Sequence, residues 1–132
     1  MTHSSRSVGH ERVLVYAEDA PLLTGEHDAN ALISAAWEHD ATWIALPVES
    51  LHDDFFQLET RVAGHVVQKF INYGLKVAVV GNIDVWLARS GALRDLVYET
   101  NLGHAFWFVS DFKELERRLT MISASTTRRT VR

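Results

Sequence analysis

The chain has no cysteine, which excludes a disulfide framework, a thiol nucleophile and thiolate metal ligation. It also has no apolar run near the roughly 20 residues that span a bilayer. The segment from Met1 to Glu11 is polar, without a signal-like apolar stretch. These absences predict a cytoplasmic protein with no membrane partner. No internal repeat is visible, no Gly-x-Ser-x-Gly elbow occurs, and no glycine-rich loop follows an apolar run to cradle a phosphate. Seven histidines are present, but no pair has the i, i+4 spacing of a helical zinc motif. No metal site and no cofactor is therefore expected.

What is present is a globular mixture. Of 132 residues, 47% are hydrophobic and 23% charged, enough for one domain with one core. Residues 12–122 hold nine Lys and Arg against sixteen Asp and Glu. That acidic body argues against nucleic-acid binding, because phosphates would be repelled. Residues 123–132 carry Arg128, Arg129 and Arg132 among Ser and Thr and read as a disordered basic tail. Residues 1–11 read as disordered or as one edge strand.

Four apolar runs stand out: Val13 to Tyr16, Trp43 to Leu46, Leu75 to Val80, and Ala105 to Val109. They barely alternate, as strands buried on both faces do. Helical stripes lie between and after them. Ala29, Leu32, Ile33, Ala36 and Trp37 form the first, with Thr24 as a candidate N-cap. Ala63, Val66, Val67, Phe70 and Ile71 form the second, stopped by Gly74. The third runs from about Ser90 to Asn101, with Leu93, Leu96, Val97 and Thr100 on one side and Gly103 after it. The fourth starts at Asp111 with Glu114 placed as in a capping box, followed by Phe112, Leu115, Leu119 and Ile122. The alternation predicts a single α/β domain: a mainly parallel four- to five-stranded sheet flanked by about four helices.

Several separated motifs carry a resemblance. They are Asp53-Asp54-Phe55-Phe56-Gln57-Leu58, Ala63-Gly64, Gln68-Lys69-Phe70-Ile71-Asn72-Tyr73, Ala78-Val79-Val80-Gly81-Asn82, Leu93-Arg94-Asp95 and Glu99-Thr100-Asn101. In this order, over residues 12–120, the chain resembles the bacterial family catalogued as domain of unknown function 4180. Asn82 stands where that family usually shows Asp. The family is in turn similar to STAS domains, the fold of anti-sigma-factor antagonists. The resemblance implies an STAS-like architecture and a regulatory role. STAS domains place an Asp-Ser-Ser-Gly-Leu-like loop, with a phosphorylatable Ser, before their second helix. Here the loop is Leu58-Glu59-Thr60-Arg61-Val62. Glu59 stands at the Ser, Arg61 at the Gly, and only Thr60 keeps a hydroxyl. Glu59 would act as a fixed negative charge.

Open parallel sheets bind ligands beyond the carboxyl ends of their strands. Glu18 and Asp19 follow the first run, Glu49, Asp53 and Asp54 the second, Asn82 and Asp84 the third, Ser110 and Asp111 the fourth. Such an acidic rim suits a hard divalent cation, or else simply caps helices and solvates loops. Glu18-Asp19 is similar to the acidic pair of response-regulator receiver domains. The acceptor Asp and the Lys of those domains are, however, replaced by Gly81-Asn82 and Ser110-Asp111.

His65, Gln68, Lys69 and Asn72 share one helix face opposite the apolar stripe. They offer donors and acceptors to a partner, or are an ordinary solvated face. Phe55 and Phe56 cannot both point the same way from a short helix. One is expected in the core and the other at a pocket or interface, with packing across a two-fold axis of a homodimer as one reading. Trp86 and Trp107 are expected in the core, Trp37 on its stripe, and Trp43 at a sheet edge. The candidate binding residues are thus Glu18, Asp19, Glu49, Asp53, Asp54, Phe56, Thr60, Gln68, Lys69, Asn72, Asn82, Glu99 and Asn101. The expected function is a non-enzymatic regulatory module with a protein partner or self-association. The alternative is a small enzyme or small-molecule-binding protein using the acidic rim.

Overall fold

The first three apolar runs lie inside the sheet with both faces buried, and the fourth lies at one edge of it. The computed structural model describes residues 4–16 and 26–131. Glu18, Asp19 and Thr24 lie outside the described residues. The elements run β1 (Ser4–Val8), β2 (Glu11–Val15), α1 (Glu26–Glu38), β3 (Trp43–Pro47), α2 (Val62–Asn72), β4 (Lys76–Val80), α3 (Asp84–Arg89), α4 (Gly91–Leu102), β5 (Phe106–Val109) and α5 (Phe112–Val131). They form one α/β domain around a five-stranded sheet. β2, β3, β4 and β5 are parallel, and β1 joins antiparallel to β2 at the edge. Gly9, at φ 60°, opens the two-residue turn between β1 and β2, where an ordinary side chain would be strained.

The strand order is β1-β2-β3-β4-β5, with no reversal. When successive parallel crossovers share one hand and the order never reverses, the crossover helices must fall on one face. They do. Leu14, Ile44, Leu46, Val77, Val79 and Phe108 pack beneath Leu32 and Ile33 of α1, Val66 and Phe70 of α2, and Leu93 of α4. The opposite face carries Val13, Trp43, Ala45, Ala78, Trp107 and Val109, covered by Leu115 and Leu119 of α5.

The local signals account for most boundaries. α1 ends with Asp40 in the left-handed region at φ 55° and the Ala41 N–H donating to the Ala36 carbonyl. Gly74, at φ 79°, stops α2. Ser90 Oγ accepts from the Leu93 N–H at 3.1 Å and starts α4. Ser90→Ala should therefore cost about 1 kcal/mol in a urea titration. An unchanged midpoint would show that the cap contributes nothing.

Three expectations require correction, those on Trp43, Trp37 and Trp86. Trp43 does not sit at a sheet edge. It lies in β3, 1% exposed, with its ring 4.5 Å from that of Trp107. Trp37 leaves the buried stripe and is 56% exposed, because α1 packs through Ala29, Leu32, Ile33 and Ala36. Phe55 and Phe56 are both buried, edge-to-face at 5.4 Å, and Phe56 stacks on Trp86 at 4.2 Å. A 3₁₀ turn (Asp53–Phe56) and Trp86 bring both rings inside, and Phe56 also lines a cleft with Gln57, Glu59, Trp86 and Arg89. Trp86 itself is only half-buried. A fifth helix, α3, also appears between β4 and α4.

Candidate functional site

At the carboxyl ends of the strands, β4 passes through Gly81 into α3, and β5 passes through Ser110 into α5. Between them is a cleft of about 490 Å³ lined by Gly81, Asn82, Asp84, Phe108, Ser110 and Glu114, among others. Its polar groups are engaged in local structure. Asn82 Oδ1 accepts from the Asp84 N–H at 2.8 Å. Asp111 Oδ1 accepts from the Glu114 N–H at 2.8 Å, and Glu114 Oε1 accepts from the Ser110 N–H at 2.7 Å. The first is a local turn before α3 and the others cap α5, the more ordinary use of such residues at these ends. Among the described residues no three His, Cys, Asp or Glu come together in a way that could hold a metal ion. The unreversed strand order also removes the switch-point crevice in which open parallel sheets usually bind ligands.

The acids after β3 diverge from this cleft. Glu49 and Asp53 are exposed and Asp54 is half-buried. The Asp54 N–H donates to His52 Nδ1 at 3.1 Å. Beside them Ser50 is 1% exposed, and its Oγ has no hydrogen-bond partner among the described residues. No sequence pattern marks it. At the end of β2, burial, reinforced by the charge of Asp28, raises the pKa of the Tyr16 phenol.

Thr60 has a local structural use. Its hydroxyl lies 2.6 Å from the Asp54 carbonyl and 2.7 Å from that of Gln57, and Oγ1 accepts from the Val62 N–H at 3.3 Å. It ties the segment before α2 to the helix start. Arg61 follows with φ 62°, in the left-handed region, where a non-glycine residue is uncommon.

Asn101 is likewise engaged, and its use is far from obvious in sequence. Its Oδ1 accepts from the Phe108 N–H at 2.7 Å, and its Nδ2 donates to the Phe108 carbonyl at 3.2 Å. β5 pairs with β4 through alternate residues, since Ala105 and Val109 carbonyls accept from Val77 and Gly81. Phe108 therefore points its backbone groups outward, and the Asn101 amide completes them as a neighbouring strand would. Arg118 of α5 donates to the Asn101 carbonyl at 2.7 Å and lies 3.8 Å over the Trp107 ring. Glu99 is exposed on α4.

The second helix brings its polar set together. His65, Gln68, Lys69, Asn72 and Tyr73 line one shallow cleft of about 340 Å³. Gln68 Nε2 donates to Asn72 Oδ1 at 2.8 Å. At its end, Tyr73, 48% exposed, meets the exposed Trp37 ring at 5.7 Å. The spacing of α2 revealed the polar row. Nothing in it revealed the aromatic pair, because Trp37 reads as one more member of the α1 stripe.

A mainly parallel sheet with the crossover helices α1 to α4 on one face and α5 on the other defines the class, an α/β domain whose polar groups chiefly cap and seal. The family model described as "Domain of unknown function (DUF4180)" matches residues 8–119, and the chain belongs to that family. No curated protein and no solved structure matches it. Among the described residues, no helix is long and apolar enough to cross a membrane.

Proposed function

We propose that this domain is a non-enzymatic regulatory module of the cytoplasm, STAS-like in architecture, which docks a protein partner on the outer face of α2. One observation carries the reading: two large exposed aromatics, Trp37 and Tyr73, meet beside the row His65, Gln68, Lys69 and Asn72. Trp and Tyr ringed by polar groups are the composition of interface hot spots. Catalysis gains less support. Thr60, Asn82 and Asn101, the side chains best placed to act on a substrate, are held in local turns and a strand seal. The left-handed Arg61 also supports the STAS-like reading, since it occupies the place of the glycine in the STAS loop.

A photo-crosslinking residue at Gln68 or Tyr73, with one at Tyr98 of α4 as control, tests the reading in the native host. The expected result is one protein captured at the first two positions and not at the third. Once purified, that protein should bind the wild-type chain and lose about tenfold or more in affinity to Trp37→Ala. No capture above the control, or binding indifferent to Trp37, would overturn it. The cleft at the ends of β4 and β5 supports a second reading, a small-molecule or divalent-cation site on the acidic rim. Calorimetric titration with Mg²⁺, Mn²⁺ and Ca²⁺ separates the two, because only the rim reading predicts saturable heat.

A further inference from the structure

On the side of α2 toward α4 lies a second cleft, distinct from the polar row though it shares His65 and Gln68 with it. It measures about 460 Å³, within the range of small-molecule pockets. Its walls are apolar: Leu58, Val67 and Leu96 stand over Phe106 of the edge strand. Arg61 is the one Lys, Arg, Asp or Glu in its lining.

Two features there are unexplained by the packing of the chain itself. The first is Gly64. Glycine weakens a helix relative to alanine. A Cβ placed on Gly64 would meet nothing within 4 Å. The fold therefore does not require a glycine, yet the missing side chain widens the cleft. The second is Arg61, held at φ 62° at the N-cap of α2. Glycine would adopt that conformation without strain. The guanidinium has no carboxylate at ion-pair distance among the described residues. The first turn of α2 contains no acid, so its free N–H groups add positive potential on the same side. Glu59, two residues earlier, lines a different cleft with Phe56, Trp86 and Arg89.

An apolar trough with an unpaired guanidinium at its rim is complementary to an apolar body carrying one negative head. We propose that the cleft between α2 and α4 binds an apolar carboxylate of the medium-chain fatty-acid class. The chain lies against Leu58, Val67, Leu96 and Phe106, and the carboxylate accepts from Arg61. This goes beyond the docking of a protein on the outer face of α2 and does not depend on it.

Octanoate and decanoate titrated into the full chain, followed by calorimetry and by amide shifts, provide the test. The expected result is saturable binding, with shifts centred on residues 61–68, 96 and 106. 1-Octanol should bind about tenfold more weakly or worse, as loss of a charge-assisted hydrogen bond implies. Arg61→Gly should lose about the same factor while its melting temperature stays level or rises, because the strain is relieved. Gly64→Leu should fill the trough and abolish binding in a protein that still melts cooperatively. Absence of saturable binding at millimolar fatty acid would overturn the proposal. So would equal affinity for octanol, or full binding by a folded Gly64→Leu. Self-association of the unliganded chain that Gly64→Leu removes would assign the cleft to a second copy, and would overturn it as well.

Discussion

Gly81→Ala is expected to destabilise the fold by about 4 kcal/mol. Two costs combine. Gly81 stands at φ 138°, a region that side-chain-bearing residues rarely enter. An added Cβ would also come within 2.8 Å of Val48 Cγ2 and 3.0 Å of Val48 Cβ. Val48 follows β3 and is itself buried, so it has little room to retreat. The backbone cannot rotate away either, since the Gly81 N–H donates to the Val109 carbonyl at 2.9 Å and closes the sheet ladder. Chemical denaturation of the single mutants Gly81→Ala and Val48→Ala and of the double mutant separates the parts. The double should be less destabilised than the two singles together by about 1–2 kcal/mol, because the clash with Val48 Cγ2 disappears while the Cβ contact and the backbone part remain. Strict additivity, or a single-mutant cost below about 1 kcal/mol, would refute the argument.

Asn101→Ala should cost about 2–3 kcal/mol and make the protein prone to aggregate. The loss exceeds that of one hydrogen bond because two backbone groups of Phe108 are left without partners. Those groups belong to the outer edge of β5, and an unpaired edge is a template for another strand. Glu114 protects the next outward N–H, that of Ser110. The two side chains together thus cover the last part of the edge that the topology leaves open. Urea midpoints and light scattering at rising concentration provide the measurement. Glu99→Ala, an exposed change on the same helix, should stay within about 0.5 kcal/mol of wild type. If Asn101→Ala behaves like Glu99→Ala, the seal has no energetic weight.

The sequence made the layered architecture legible because double-sided burial writes itself as an unbroken apolar run. Val13-Leu14, Trp43 to Leu46 and Val77 to Val79 all show it, and all are buried on both sides. Ser90, Asp111 and Gly74 marked helix ends because capping depends on residues only two or three positions away. Strand order left no such trace, since apolar runs of similar composition can be arranged in any sequence across a sheet. The same limit hid α3, whose six residues are too few to display a stripe.

The candidate site divided along the same line. Gln68, Lys69 and Asn72 lie together because one helix carries them all. Glu49, Asp53, Asn82 and Asp111 share an end of the sheet by topology alone, which did not bring them into one cluster. Asn101 carried a signal of importance without a signal of purpose. Its partner, Phe108, is fixed only when α4 folds back along β5.

The order of elements also governs how the molecule comes into being. All five strands and the first four helices precede α5 in the chain. During synthesis the sheet can therefore assemble beneath α1, α2 and α4 while its other side, with Trp43 and Trp107, has no roof. Leu115 and Leu119 arrive last and shield it. Until then an indole-bearing wall faces solvent, and that interval is when the chain is most exposed to wrong contacts.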